Sequence, residues 1–254
     1  MSGNSIYFIS DIHFGMKSRS DESFREKLLV EFLSSIEADT KKIFIVGDLF
    51  DCWLEYREVV PKGNYRFFTK LSDLINNQIE INYLAGNHDF WRGNYFEDEF
   101  GIKVEPEPVS FNEDGKSFFI HHGDGLAYND KGYLILKKIL RNKFNQFLYS
   151  LIHPDIGIKL ARSTSSSSRV HTDKKDYSTK DGLKDFAIKK IDEGYNYVLM
   201  GHRHKPFKLL HNGGMYINLG DWVNNFTYAK YSNKKLELYR YYDIKKREVV
   251  NEII

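Results

Sequence analysis

Seven side chains that ligate metals well, Asp11, His13, Asp48, Asn87, His122, His202 and His204, fall into five short clusters along this chain. They offer two carboxylates, one amide oxygen and four imidazoles, with no thiolate. Donors of this kind suit two divalent ions of the Mn, Fe or Zn type rather than a structural zinc site. Two such ions about 3.5 to 4 Å apart clamp a phosphoryl group, acidify a water between them and stabilise a leaving oxygen. The reaction class this favours is hydrolysis of a phosphoester or phosphoanhydride, with Asp48 able to bridge the ions.

Each cluster directly follows an apolar run. Ile6-Tyr7-Phe8-Ile9 leads into Ser10-Asp11-Ile12-His13, and two residues of separation put the carboxylate and the imidazole on the same side of a strand end. Ile43 to Val46 leads into Gly47-Asp48-Leu49-Phe50-Asp51, and Ile81 to Ala85 into Gly86-Asn87-His88-Asp89. Ser117 to Ile120 delivers His121-His122-Gly123-Asp124, and Tyr197 to Met200 delivers Gly201-His202-Arg203-His204. One Asp or His at a strand end is commonly a turn residue. Five in succession predict an α/β fold, whose ligands bind outside the carboxyl ends of its strands. Between the first two strands Asp21 is a plausible cap for a helix carrying Phe24, Leu28, Phe32, Leu33 and Ile36. A second helix is predicted over Tyr65 to Asn76.

With 254 residues, 41% hydrophobic and 28% charged, the chain can bury one large core, with or without an insertion. No apolar run approaches the roughly 18 residues of a membrane span. The first apolar run begins at Ile6 without the pattern of a signal peptide, which predicts a cytoplasmic protein. Cys52 is the single cysteine, so no intrachain disulfide can form.

Residues 125–180 exceed what a connection requires and predict an inserted helical cap on a core of residues 1–124 and 181–254. Leu136, Leu140, Phe144, Phe147, Leu148, Leu151 and Ile152 give it a wide apolar face, with Lys137, Lys138, Arg141 and Lys143 interspersed. Residues 131–175 hold ten of the 37 Lys and Arg residues and only two of the 35 acidic ones. A cap both apolar and basic suits an amphiphile, acyl chains for one property and phosphates or lipid head groups for the other. The plainer alternative is a cap packed on the core with a solvated rim. The serine-rich run 163–168 is low in complexity and expected to be flexible. Near the C-terminus, Met215 to Trp222 reads as a strand and turn bordering the site. Lys235 to Tyr241 reads as an outer strand of a second sheet, and the residues from Asp243 as a charged tail.

The ordered set D-x-H, G-D, G-N-H-D, H-G-D and G-H-x-H over residues 6–206 resembles the calcineurin-like metallophosphoesterases. The resemblance implies two mixed β-sheets flanked by helices in four αββα layers. It implies one metal on Asp11, His13, Asp48 and His204, and another on Asp48, Asn87, His122 and His202. By the same pattern His88 protonates the leaving oxygen or offsets its charge, Asp89 orients His88, and His121 points into the sheet.

Asp48-Leu49-Phe50-Asp51-Cys52-Trp53, Asn87-His88-Asp89-Phe90 and His122-Gly123-Asp124-Gly125-Leu126 further resemble the UDP-2,3-diacylglucosamine pyrophosphatases of lipid A synthesis. So do Asn129-Asp130-Lys131-Gly132-Tyr133 and Gly201 to Pro206. This implies a manganese enzyme on the inner leaflet whose partner is an acylated nucleotide sugar, with no nucleic acid or protein partner. Asn87 and His88 would meet the phosphate, Asp130 and Tyr133 the pocket mouth, and Arg162 the glucosamine phosphate. Familiar members have Arg at the position of His88 and Thr at that of Arg203, so Arg203 could restore charge beside the phosphate. The departure keeps another nucleotide, nucleotide sugar or lipid phosphate open as substrate. A non-catalytic scaffold is the remaining alternative, although such chains usually lack ligands.

Overall fold

In a computed structural model, residues 3–90, 93–126, 128, 131–161, 163 and 181–254 are described. Strands β1 (Ser5–Ile9), β2 (Thr40–Val46), β3 (Glu80–Leu84) and the short β4 (Val104–Glu105) lie parallel, side by side. Their runs of Ile, Phe and Val are those of strands covered on both faces. Helix α1 (Arg19–Ile36) connects β1 to β2, α2 (Tyr65–Asn76) connects β2 to β3, and the short α3 (Tyr95–Phe100) lies between β3 and β4. On the other flank of β1 come antiparallel β10 (Thr227–Ser232), β11 (Lys235–Asp243) and β12 (Glu248–Ile253), completing a seven-stranded sheet. The second sheet has the order β5-β6-β7-β9-β8, made of β5 (Val109–Glu113), β6 (Lys116–His121), β7 (Tyr197–Met200), β8 (Phe207–His211) and β9 (Gly214–Asn218). Within it β6, β7 and β9 are parallel.

Alternation along the strands builds the layers. Tyr7, Ile9, Ile43 and Ile45 face outward onto Leu29 and Phe32 of α1 and Leu71 and Leu74 of α2. Ile6, Phe8, Phe44 and Val46 face inward onto Phe118, Ile120, Leu199 and Ile217 of the second sheet. The rings of Phe8, Phe44, Phe111 and Phe118 stack across this interface with centroids 4.6 to 6.1 Å apart. Beyond the second sheet, Leu183, Ala187 and Ile191 of α7 (Gly182–Asp192) cover Phe119, Val198, Met200 and Tyr216. The order is helix, sheet, sheet, helix, the αββα sandwich that the motif set implied.

Three expectations need correction. β11 lies inside the seven-stranded sheet, between β10 and β12, not at the margin of the other one. The residues after Asp243 are not a tail; Glu248–Ile253 forms the edge strand β12, whose charges are what an exposed edge carries. Ser18, not Asp21, caps α1, its side chain accepting the Asp21 N–H.

Residues 131–161 form α4 (Lys131–Arg141), α5 (Lys143–Ser150) and α6 (residues 154–161). Ile135, Ile139, Phe144, Phe147 and Ile156 on these helices, and Leu151 just after α5, are each more than half exposed. No described helix is long and apolar enough to cross a membrane.

Candidate metal centre

The loops leaving β1, β2, β3, β6 and β7 bring their polar side chains together at one edge of the sandwich. Asp11 Oδ2 accepts the His202 N–H at 2.9 Å. Its Oδ1 is buried without a hydrogen-bond partner, 3.2 Å from His204 Nε2 and 3.7 Å from His13 Nε2. Asp48 divides its oxygens in the same way. Oδ1 accepts the His88 N–H at 2.8 Å, while Oδ2 lies 3.3 Å from His122 Nε2 and 3.7 Å from His13 Nε2. Asn87 Oδ1 lies 3.1 Å from His122 Nε2 and 2.9 Å from His202 Nδ1. The donors therefore form two groups, Asp11-His13-His204 and Asp48-His122-His202, with Asn87 in the second and Asp48 reaching both.

The backbone is strained to achieve this. Asp11 (φ 55°), His13 (49°), Asp48 (53°), His202 (67°) and His204 (55°) all occupy the left-handed region, uncommon for residues other than glycine. Such strain persists where the surroundings over-determine it, and it concentrates at functional sites. The glycines that open two of the motifs have a steric cause. A Cβ on Gly201 would collide with the Asp11 carboxylate, and one on Gly86 with that of Asp48.

Electrostatics complete the fit. His122 Nδ1 lies 2.9 Å from the Val46 carbonyl, which can only accept, so Nδ1 carries hydrogen and Nε2 faces the cluster. Burial works against charge on His122, yet the adjoining Asp48 carboxylate outweighs it and pushes the group up to about 10. Asp48, against the effect of its own burial, is held far below the usual carboxylate range by the charge of His122. Burial and that same charge push His202 down to about 3. The metal-free site thus holds a proton on His122 where its carboxylates call for cations. With the orphan Asp11 oxygen and seven convergent O and N donors, these residues fit two divalent ions. A ligating imidazole is neutral, so loading must expel the His122 proton. Calorimetry of Mn²⁺ binding near neutral pH, in buffers of different ionisation enthalpy, is expected to show release of about one proton and an affinity that rises with pH.

The family model for calcineurin-like phosphoesterases matches residues 5–206, a span that contains all five clusters. The chain belongs to that family. This calcineurin-like phosphoesterase is 32% identical over 251 residues to the UDP-2,3-diacylglucosamine hydrolase of Porphyromonas gingivalis, covering 92% of this chain and 96% of the relative. It is 27% identical over 226 residues to the protein of the same name from Haemophilus influenzae, with 87% and 92% covered. With that of Neisseria meningitidis serogroup B it shares 29% over 223 residues, with 87% and 91% covered.

The other predicted residues of the phosphoesterase have varied surroundings. The His88 ring stands edge-on to His13 at 4.9 Å, and its Nδ1 donates to the Asp51 carbonyl at 3.1 Å. Burial pushes His88 down to about 4, which favours the neutral ring at neutral pH. Asp89, expected to orient His88, has both oxygens engaged elsewhere: Oδ2 accepts Leu49 N–H at 2.7 Å and the Tyr83 hydroxyl, and Oδ1 accepts Gly86 N–H at 2.7 Å. It ties the turn after β2 to the turn after β3. Asp89→Ala strands two buried N–H groups at about 1–3 kcal/mol each. Thermal denaturation is expected to show a midpoint lower by about 5 °C or more.

Asp51 is a site residue the sequence reading left without a role. It is buried, with Oδ1 3.6 Å from His13 Nδ1 and 3.9 Å from His88 Nδ1. Its signal was its position, three residues past Asp48 in the same turn. Arg203 is ion-paired with Asp181, the N-cap of α7, and its guanidinium lies 5.5 Å from the Phe207 ring centre. His121 accepts the Gly123 N–H and packs against Phe186 of α7, away from the donors. Asp130, Arg162 and the serine run 164–168 lie outside the described residues, and Tyr133 is placed only by its backbone in α4.

From α4, Lys137 Nζ reaches the buried Asp124 at 2.6 Å, and Arg141 Nη2 donates to the Gly86 carbonyl at 3.3 Å. The basic face of α4 therefore borders the metal centre. A cavity of about 560 Å³ opens beside it, lined by Phe90, Phe96, Ile102, Val104, Arg141 and Gln146 among others.

Proposed function

We propose that this chain hydrolyses the pyrophosphate of UDP-2,3-diacylglucosamine to UMP and 2,3-diacylglucosamine 1-phosphate, with two divalent ions, manganese ahead of iron or zinc. The observation that carries the reading is the pair of donor groups sharing Asp48, bordered by helices that are basic toward the centre and apolar outside. Relatives named for this substrate, aligned over nearly the whole chain, support it.

Asp11, His13, Asp48 and His204 would hold one ion, and Asp48, Asn87, His122 and His202 the other. When bound, the ions polarise the phosphoryl group and offset its developing charge. Water attacks the phosphorus next to uridine, the bond to the bridging oxygen breaks, and the sugar phosphate leaves. His88, with Nδ1 hydrogen-bonded to the Asp51 carbonyl and its ring against His13, would act through Nε2. An approaching phosphate anion favours its charged form, which can give its Nε2 proton to the leaving oxygen. Lys137 and Arg141 add positive charge at the rim, and Arg203, ion-paired with Asp181, would add to it. Asp130, Tyr133 and Arg162 would complete the sugar and phosphate contacts. The exposed apolar side chains of α4, α5 and α6 would meet acyl chains and the inner face of the cell membrane. The cap, residues 125–180, is then the substrate-selecting part of the molecule.

His88 in place of arginine favours a second reading, a phosphodiesterase for another nucleotide, nucleotide sugar or lipid phosphate. A scaffold would not need a complete ligand set. The test is hydrolysis with Mn²⁺ of UDP-2,3-diacylglucosamine, UDP-glucosamine and an aryl phosphodiester in parallel. Fast UMP release from the acylated compound alone supports the proposal. Turnover of the aryl diester without the lipid substrate would sink the substrate claim and leave the phosphoesterase chemistry standing.

A further inference from the structure

Helix α1 carries a buried arginine that the chemistry above leaves unused. Arg25 is 5% exposed, and a guanidinium so placed is costly unless its donors are filled. Nε donates to the Trp222 carbonyl at 3.2 Å, and Nη1 to the His13 carbonyl at 3.4 Å and the Glu22 carboxylate at 2.8 Å. Nη2 donates to the Ile12 carbonyl. Glu22, one turn earlier on the helix, accepts the N–H groups of Gly15 at 3.0 Å and Lys17 at 2.7 Å. One face of α1 thus grips the loop after β1 through its main chain.

The grip extends to a third ligand. Trp222 N–H donates to the Asp11 carbonyl at 3.0 Å, and the neighbouring Asp221 accepts from Asn225, whose Nδ2 donates to the His204 carbonyl at 2.8 Å. Asp11, His13 and His204 are therefore the ligands whose main-chain carbonyls this network holds, while His202 meets it through its N–H on Asp11 Oδ2. His122 is oriented instead by the Val46 carbonyl, and the Gly201 carbonyl just before His202 is held by Asn218. Asp11 and His13, both left-handed, flank the Ile12 carbonyl that Arg25 holds.

We propose that Arg25 is a positioning residue that sets Asp11 and His13, and through the Trp222 turn His204, for one of the two ions; this rests on the two-ion reading above. It touches neither metal nor substrate. Outer-shell partners of this kind change metal affinity by about 10- to 100-fold when removed.

The test is Mn²⁺ titration of the full metal-free chain, with free Mn²⁺ followed by electron paramagnetic resonance and folding by circular dichroism. Wild type is expected to bind two ions. Arg25→Gln is expected to keep one at near wild-type affinity and to bind the other at least about tenfold more weakly, with Arg25→Lys between the two. Equal weakening at both sites, or none at either, overturns the proposal. A wild-type chain that binds no pair of ions overturns the two-ion reading itself, which is a different result. Should Arg25→Gln not fold, Glu22→Gln loosens the same grip from a half-buried position. It must then weaken a single ion, and unchanged binding in that variant also overturns the proposal.

Discussion

Asp48→Ala is expected to lower UMP release from UDP-2,3-diacylglucosamine by at least about three orders of magnitude and to abolish binding of the ion pair. Asp48 is the carboxylate within reach of both donor groups, 3.3 Å from His122 and 3.7 Å from His13. Its loss also leaves the His122 imidazolium buried without its principal counter-charge. Asp48→Asn separates these effects. The amide oxygen can still accept from the His88 N–H, so the turn survives while the charge does not. Metal analysis and turnover, measured on both variants, should fall together.

His88→Ala is expected to reduce kcat about 10²- to 10⁴-fold with metal content unchanged. The ring lies beside the donors, edge-on to His13, and neither the Asp11-His13-His204 group nor the Asp48-His122-His202 group includes it. Burial lowers this histidine to about 4 in the free protein, so its charged form is lost as pH rises through that value. A bound phosphate anion raises it, and the basic limb of the kcat profile should lie above that of kcat/KM. His88→Arg cannot give up a proton near neutral pH but keeps the charge. If charge is the larger part of the role, this variant retains more rate than His88→Ala and loses the pH dependence. If proton donation is the larger part, both variants fall alike.

The donors were legible because each ends an apolar strand, and strands buried on both faces are hard to mistake. Sheet membership was not. Alternation along Lys235 to Tyr241 tells which side chains share a face, not which strands flank them, and β11 pairs with β10 and β12 in the first sheet. The edge strand β12 was hidden by its charges. Ser18 and Asp21 are equally good capping residues by type, and only the chain's path selects Ser18. Asp51, Arg25 and Asn225 escaped for a common reason. Each works in part through main-chain carbonyls, which leave no spacing in a sequence. Asp89 shows the converse: its motif position was plain, but its partners Leu49, Gly86 and Tyr83 emerge only when two turns meet.

The most direct measurement is to add Mn²⁺ stepwise to the metal-free protein, following bound metal and UMP release from UDP-2,3-diacylglucosamine in the same samples. Two ions per chain, with activity appearing as the pair fills and absent after chelation, is the result predicted here. Full activity in the metal-free protein, or two bound ions with no UMP released, would contradict the account.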